Sequence, residues 1–300
     1  VIFFCCNFIG SGLRNALFEN CQFTKSISTG VYVTENYHLS GNTFFNGLRS
    51  TGSVKYKNCF FSEANGDYLV AGMEQVYSDN CTIEDCTIQN IKSNGNVIGG
   101  LPFTGRPIAS GIYLTSGRAG NDAVNHEVDN VRGRLSNVTV KNCNVNQVKN
   151  EGEGESFGMI HFAGISHKYK ESGPNPVSLD LTNAVVVKNV SFTDCNVNDI
   201  EAADGKAFGY FMSKGLDLSF SIEVAVLLEL LNYIPPLSGL TGYTSPLKYV
   251  PYKFADEYKD AIFKGCVASN CLGTIESVGI NLSSVDTPTI CDCIVKDCGT

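Results

Sequence analysis

The feature that most constrains this chain is a short internal repeat: an apolar residue, two residues, Cys, one residue, then usually a second apolar residue. It recurs as Phe3/Cys6/Phe8, Phe18/Cys21/Phe23, Tyr56/Cys59/Phe61, Ile83/Cys86/Ile88, Val140/Cys143/Val145, Phe192/Cys195/Val197, Phe263/Cys266/Ala268 and Ile290/Cys293/Val295. Repetition on this scale marks an architecture of stacked units, each burying its apolar side against the next.

Within the repeat, Val138 and Val140, or Val190 and Phe192, alternate with polar neighbours and read as strand positions facing inward. The alternation restarts at Cys, which places a corner just before it. In the last seven copies the residue preceding Cys is Asn20, Asn58, Asp85, Asn142, Asp194, Gly265 and Asp292. Gly, Asn and Asp enter the left-handed α region more readily than other residues, so this column predicts a two-residue bend with a positive φ.

A second element follows most copies: a glycine, then a short apolar or aromatic strand. It is read in Gly30-Val-Tyr-Val, Gly66-Asp-Tyr-Leu, Gly111-Ile-Tyr-Leu, Gly158-Met-Ile-His, Gly209-Tyr-Phe-Met and Gly279-Ile-Asn-Leu. Successive repeat cysteines lie 15, 38, 27, 57, 52, 71 and 27 residues apart. The two spacings of 27 read as bare coils and the longer ones as coils carrying insertions, which a solenoid tolerates because each coil touches only its neighbours. The first spacing, 15, fits badly and marks either an N-terminal cap or a spurious first copy.

These patterns predict an all-β chain: a right-handed single-stranded parallel β-helix with loop insertions and one short helix. Residues 1–300 read as one domain, with a large insertion at 213–262. Within it Phe220, Val224, Leu227, Leu228 and Leu231 have helical spacing, which predicts a docked amphipathic helix around 220–232. The chain opens at Val1 without a signal-peptide pattern and stops partway through a coil, so a fragment of a longer protein is expected.

Composition narrows the partners. The formal charge of −8, without a clustered basic surface, disfavours nucleic acid. The most apolar stretch, 216–234, contains Asp217, Glu223 and Glu229, so no membrane span is expected.

Of 13 cysteines, eight fall in the repeat column. They could form a disulfide or metal ladder, but an in-register stack gives each sulfur two equal neighbours and suits packing, so buried free thiols are expected. Cys81/Cys86, Cys266/Cys271 and Cys293/Cys298 are paired in spacing, yet no compact Cys/His set completes a zinc site. No metal and no cofactor are expected. The sequons at Asn80, Asn137, Asn189 and Asn281 carry little weight in so Asn-rich a chain.

In the glycine-led strand, the residues one and three after Gly are mostly apolar and are placed inside: Val31/Val33, Ile112/Leu114, Met159/His161, Tyr210/Met212 and Ile280/Leu282. The residue between them then faces outward, giving the column Tyr32, Tyr68, Tyr113, Ile160, Phe211 and Asn281. Tyr32, Tyr68, Tyr113 and Phe211 are the candidate ligand-binding residues, a platform for sugar rings or apolar groups. The insertions at 116–136, 165–185 and 213–262 leave from the end of this strand, where they either wall a groove or plug it. His161, inward in its column, is expected to be a hydrogen-bonded core histidine and not a catalytic base.

With the corner repeat and the glycine-flanked strands in place, the chain resembles the right-handed parallel β-helix, or pectin-lyase-like, superfamily; Val-Ser-Phe-Thr-Asp-Cys-Asn-Val at 190–197 is typical of the motif. The resemblance implies enzymes or binders of polysaccharides, adhesins and tail spikes, and an extracellular or surface-associated location, while free cysteines leave an intracellular one open. The polygalacturonase-like motifs Asn-Thr-Asp, Asp-Asp, Gly-His-Gly and Arg-Ile-Lys are absent. No carboxyl pair suited to inverting hydrolysis can be named, and Glu84 beside Asp85 reads as structural. The leading expectation is a scaffold that binds a glycan or protein surface through a loop-rimmed sheet face. The alternatives are a carbohydrate-active enzyme, polysaccharide lyase or glycoside hydrolase, and a structural segment of a surface or fibre protein.

Overall fold

The computed structural model describes residues 2–4, 8–11, 14–27, 32–33, 39–40, 42–48, 51–66, 69–76, 80–94, 107–115, 136–162, 186–214, 257–282 and 285–299. They form a parallel β-helix of three sheets. Sheet I contains β1 (Ile2–Phe4), β4 (Gln22–Ile27), β9 (Phe60–Gly66), β12 (Thr87–Ser93), β15 (Asn144–Glu153), β18 (Asn196–Asp204), β21 (Val267–Gly273) and β24 (Ile294–Lys296). Sheet II contains β2 (Phe8–Ser11), β7 (Asn42–Leu48), β10 (Leu69–Val76), β13 (Ile108–Thr115), β16 (Glu155–Phe162), β19 (Lys206–Ser213) and β22 (Glu276–Asn281). Sheet III contains β3 (Arg14–Glu19), β8 (Thr51–Lys57), β11 (Cys81–Glu84), β14 (Val138–Lys141), β17 (Val186–Thr193), β20 (Glu257–Lys264) and β23 (Thr289–Cys291). Each full coil runs from sheet III to I to II, and each strand pairs in parallel with its counterparts one coil away.

The repeat fixes this register. Tyr56, Ile83, Val140, Phe192, Phe263 and Ile290 stack in sheet III, and Phe23, Phe61, Ile88, Val145, Val197, Ala268 and Val295 stack in sheet I. The first proposed copy does not belong. Phe3 pairs with Phe23, in the slot two residues after the repeat cysteine, and Phe8 lies in sheet II opposite Phe45.

The corner column is left-handed as expected, with φ of 50° at Asn58 and Asn142 and 52° at Asp194. Two further columns are left-handed. Glu63, Asn90, Gln147, Asp199 and Asn270 bend sheet I midway, Asp297 follows its last strand, and Asn80, Asn137, Asn189 and Asp260 bend the chain into or within sheet III. Three of the four sequon asparagines thus occupy a backbone column that calls for Asn, followed by an outward Thr or Ser.

Sheet II carries a column of glycines. A Cβ on Gly158 would sit 2.2 Å from Val197 Cγ1 and 2.6 Å from the Gly209 carbonyl oxygen, so close approach of backbone and core excludes any side chain there. Gly72, Gly111, Gly209 and Gly279 make similar contacts from one coil to the next. The glycine that corresponds to Gly111 is therefore Gly72 and not Gly66, which ends β9 opposite Ser93.

The enclosed core contains Cys59, Cys86, Cys143, Cys195 and Cys266 together with the Phe, Tyr, Ile and Val columns of all three sheets. Among the described residues there is no helix; the helix expected at 220–232 lies outside them. So does most of each insertion, although residues 257–262, assigned to the last insertion, belong to β20.

Candidate functional site

The alternation expected in sheet II holds, but its outward residues are not a free aromatic platform. Met73, Ile112, Met159, Tyr210 and Ile280 point into the core, and the next row, Glu74, Tyr113, Ile160, Phe211 and Asn281, points out. Tyr113 is 2% exposed and Phe211 8%. Both belong to a second apolar cluster on the outer side of sheet II, with Ala71, Ile108, Phe157, Ile160, Phe162 and Phe208. Phe157 stacks on Phe208 at 5.2 Å, Phe211 meets both edge-on, and Tyr113 meets Phe162 edge-on at 5.5 Å.

Tyr32 leaves the column. Tyr32 and Val33 (β5) pair antiparallel with Leu39 and Ser40 (β6), outside the three sheets. Tyr68 lies outside the described residues, and the place assigned to it is held by Glu74, a consequence of Gly72 being the column glycine. Glu74 is fully buried beside the aromatic cluster. Among the described candidate residues, the fold aligns Tyr113 and Phe211, two coils apart and both covered.

The inward residues behave as core. His161 is fully buried, and its Nδ1 shares a hydrogen bond of 2.6 Å with the Tyr258 hydroxyl. Burial pushes the Tyr258 phenol well above its ordinary range, so it stays protonated. Tyr56 donates to Gln75 Oε1 at 2.8 Å, and Tyr210 donates to the Cys195 carbonyl at 2.7 Å. His126, His167, Lys168 and Lys170 lie outside the described residues.

All described cysteines are free thiols; Cys5 and Cys6 lie outside the described residues. In the column each thiol donates to the carbonyl two residues before it, as from Cys143 to Lys141 at 3.2 Å, and some reach the previous coil, as from Cys143 to Ile83 at 3.5 Å. Burial pushes the Cys81 thiol up to about 12. Contact with the thiols of Cys195 and Cys86, and then burial, hold Cys143 far above the ordinary thiol range. Neither is a nucleophile near neutral pH. Among the described residues no group of three His, Cys, Asp or Glu side chains is placed to hold a metal ion.

The outward face of sheet I has a different character. At the β15 and β18 coils it presents Asn144, Asn146 and Gln147 beside Asn196, Asn198 and Asp199. Asn144, Asn196 and Gln147 are exposed, and the other three are half-buried. Hydrogen bonds run along the coil axis: Asn196 Nδ2 donates to Asn144 Oδ1 at 3.0 Å, and Asn198 Nδ2 to Asn146 Oδ1 at 3.1 Å. Ser269 Oγ and Asn270 Nδ2 extend the second row by donating to Asn198 Oδ1 at 2.8 and 3.0 Å. Ion pairs Lys149–Glu201 (3.3 Å) and Lys92–Glu151 (2.7 Å) border the array. The signal for it was present in the duplicated Asn-Val-Asn of 144–146 and 196–198, where each outward strand position is a carboxamide.

Among the described residues no helix is long and apolar enough to cross a membrane. No protein-family model, no curated protein and no solved structure matches the chain.

Proposed function

We propose that the protein is a rigid β-helical scaffold that presents a sheet face to a glycan or protein surface, at an extracellular or surface-associated location. The observation that carries this reading is the division of labour among the three faces. The outer side of sheet II is apolar and buried, while the outer sides of sheets I and III are solvent-facing. Sheet III shows exposed Lys55, Lys57, Lys141, Lys188 and Lys264 beside half-buried Thr82, Thr139 and Ser191. A solenoid repeats such groups at a fixed interval of about 4.8 Å along a stiff axis, which suits an extended partner.

The burial of Tyr113 and Phe211 moves recognition away from sheet II. It also favours a second reading, a structural segment of a surface or fibre protein, in which the covered aromatic face serves packing alone. A carbohydrate-active enzyme is the third reading, motivated by the buried carboxyl of Glu74 on the face from which the insertions depart.

A glycan array run beside a reducing-sugar assay separates the three. Binding without release of reducing ends is the expected result. Turnover would replace the scaffold by an enzyme, and failure to bind any glycan or surface protein would leave the structural segment.

A further inference from the structure

The carboxamide array on sheet I is specific in what it offers a partner. Because Asn144 and Asn146 accept within the ladder and Asn196 and Asn198 donate, the Asn144 and Asn146 Nδ2 groups and the Asn196 Oδ1 atom have no partner among the described residues. The array therefore projects donors from one coil and an acceptor from the next, about 4.8 Å apart. A sugar hydroxyl is at once a donor and an acceptor, so adjacent hydroxyls match this alternation.

Two further properties select the partner. The ladder bonds already fix these side chains, so binding loses less rotamer freedom than it would with solvated amides. The central charges either cancel, as in Lys149–Glu201, or are negative, as at Asp199. A polyanion is disfavoured there, and among the described residues of these two coils no exposed aromatic or large aliphatic group offers an apolar anchor.

We propose that Asn144, Asn146, Asn196 and Asn198 form a docking site for a neutral, hydroxyl-rich polysaccharide lying along the coil axis. The proposal rests on the scaffold reading and narrows it to one face and one class of glycan.

Affinity gel electrophoresis of the full chain in glucomannan, xylan and polygalacturonate tests it. The parent should be retarded by a neutral polysaccharide and not by polygalacturonate. The double variant N144A/N196A alters only exposed side chains and should weaken that retardation about tenfold, the loss expected for two hydrogen-bonding groups. The control T139A/S191A on sheet III should match the parent, with folding of both variants checked by far-UV circular dichroism. Equal retardation of N144A/N196A and parent overturns this site while leaving a glycan-binding scaffold standing. Preference for polygalacturonate overturns the neutral-glycan assignment, and no retardation by any of the three removes the glycan arm of the scaffold reading together with the site.

Discussion

Asn189 donates its side-chain Nδ2 to Asn137 Oδ1 across 2.8 Å, and the two residues share a left-handed backbone, with φ of 58° and 57°. One residue type meets two demands at once: a backbone conformation with a positive φ, and a side chain that can both donate and accept along a stack. The same pairing recurs from Asn58 to Asn20 and from Asn142 to Asp85, both at 2.6 Å. This explains why the chain is rich in Asn where it bends.

Replacing Asn142 by Val should destabilise the protein by about 1–2 kcal/mol, because a β-branched residue is strained at positive φ and the bond to Asp85 is lost. Asn142→Asp and Asn142→Gly should be milder. Urea denaturation of the three variants measures the order; equal losses for Val and Gly would show that the backbone term is absent.

Cys143→Ala should cost roughly 1–3 kcal/mol through lost packing in the fully enclosed column. Reductant should leave the parent's midpoint nearly unchanged, since the described thiols are already free. A large downward shift on reduction would mean that the cysteines are cross-linked.

Gly158→Ala should be among the most damaging small substitutions, at about 1–3 kcal/mol or more, since the added Cβ would overlap both Val197 and the Gly209 carbonyl. Thermal unfolding of this variant beside Gly299→Ala, where a Cβ would meet nothing within 4 Å, isolates the effect.

Tyr258→Phe should cost about 1–3 kcal/mol by leaving the buried His161 Nδ1 without its hydroxyl partner, and the double variant Tyr258→Phe/His161→Leu should recover part of the loss. A double-mutant cycle with no coupling would place the pair's hydrogen bond outside the stability of the core.

Asp286 receives a hydrogen bond from Lys214 Nζ at 2.6 Å and another from the Tyr258 backbone N–H at 2.7 Å. The Lys214 ammonium first, and then the Tyr258 amide, hold its carboxyl below the usual range. A folded-state value below the unfolded one stabilises fully above about pH 4 and is lost as pH falls through the folded value. Parent stability should therefore decline more steeply than that of Asp286→Asn on acidification below pH 4; parallel profiles would contradict the linkage.

The coil was legible in the sequence because its causes are local. An inward Val or Phe, a left-handed Asn and a buried Cys each constrain their own rung, and repetition made the column visible. The bends at Gln147 and Asp199 were missed because they fall inside a strand whose alternation continues on either side, with no cysteine to mark them. The candidate platform failed for two reasons of different kind. The slot assigned to Tyr68 is held by Glu74, because Gly66 and Gly72 are equally plausible in sequence as the column glycine and only pairing with Gly111's coil distinguishes them. Tyr113 and Phe211 were correctly aimed outward, but whether an outward residue meets solvent is a tertiary property that strand period cannot report.

The register of the coils is the premise of every site described above, and lysine cross-linking of the native protein reads it most directly. Lys92 and Lys149 are register partners on adjacent coils, about 5 Å apart along the axis. Lys57 and Lys141 lie two coils apart on sheet III, as do Lys141 and Lys264, at about 10 Å. A short bis-succinimidyl reagent followed by peptide mass spectrometry should yield all three links, although the partners in each are separated by 57 to 123 residues of sequence. Absence of the Lys92–Lys149 and Lys57–Lys141 links from a folded, monomeric sample would contradict the stacked arrangement.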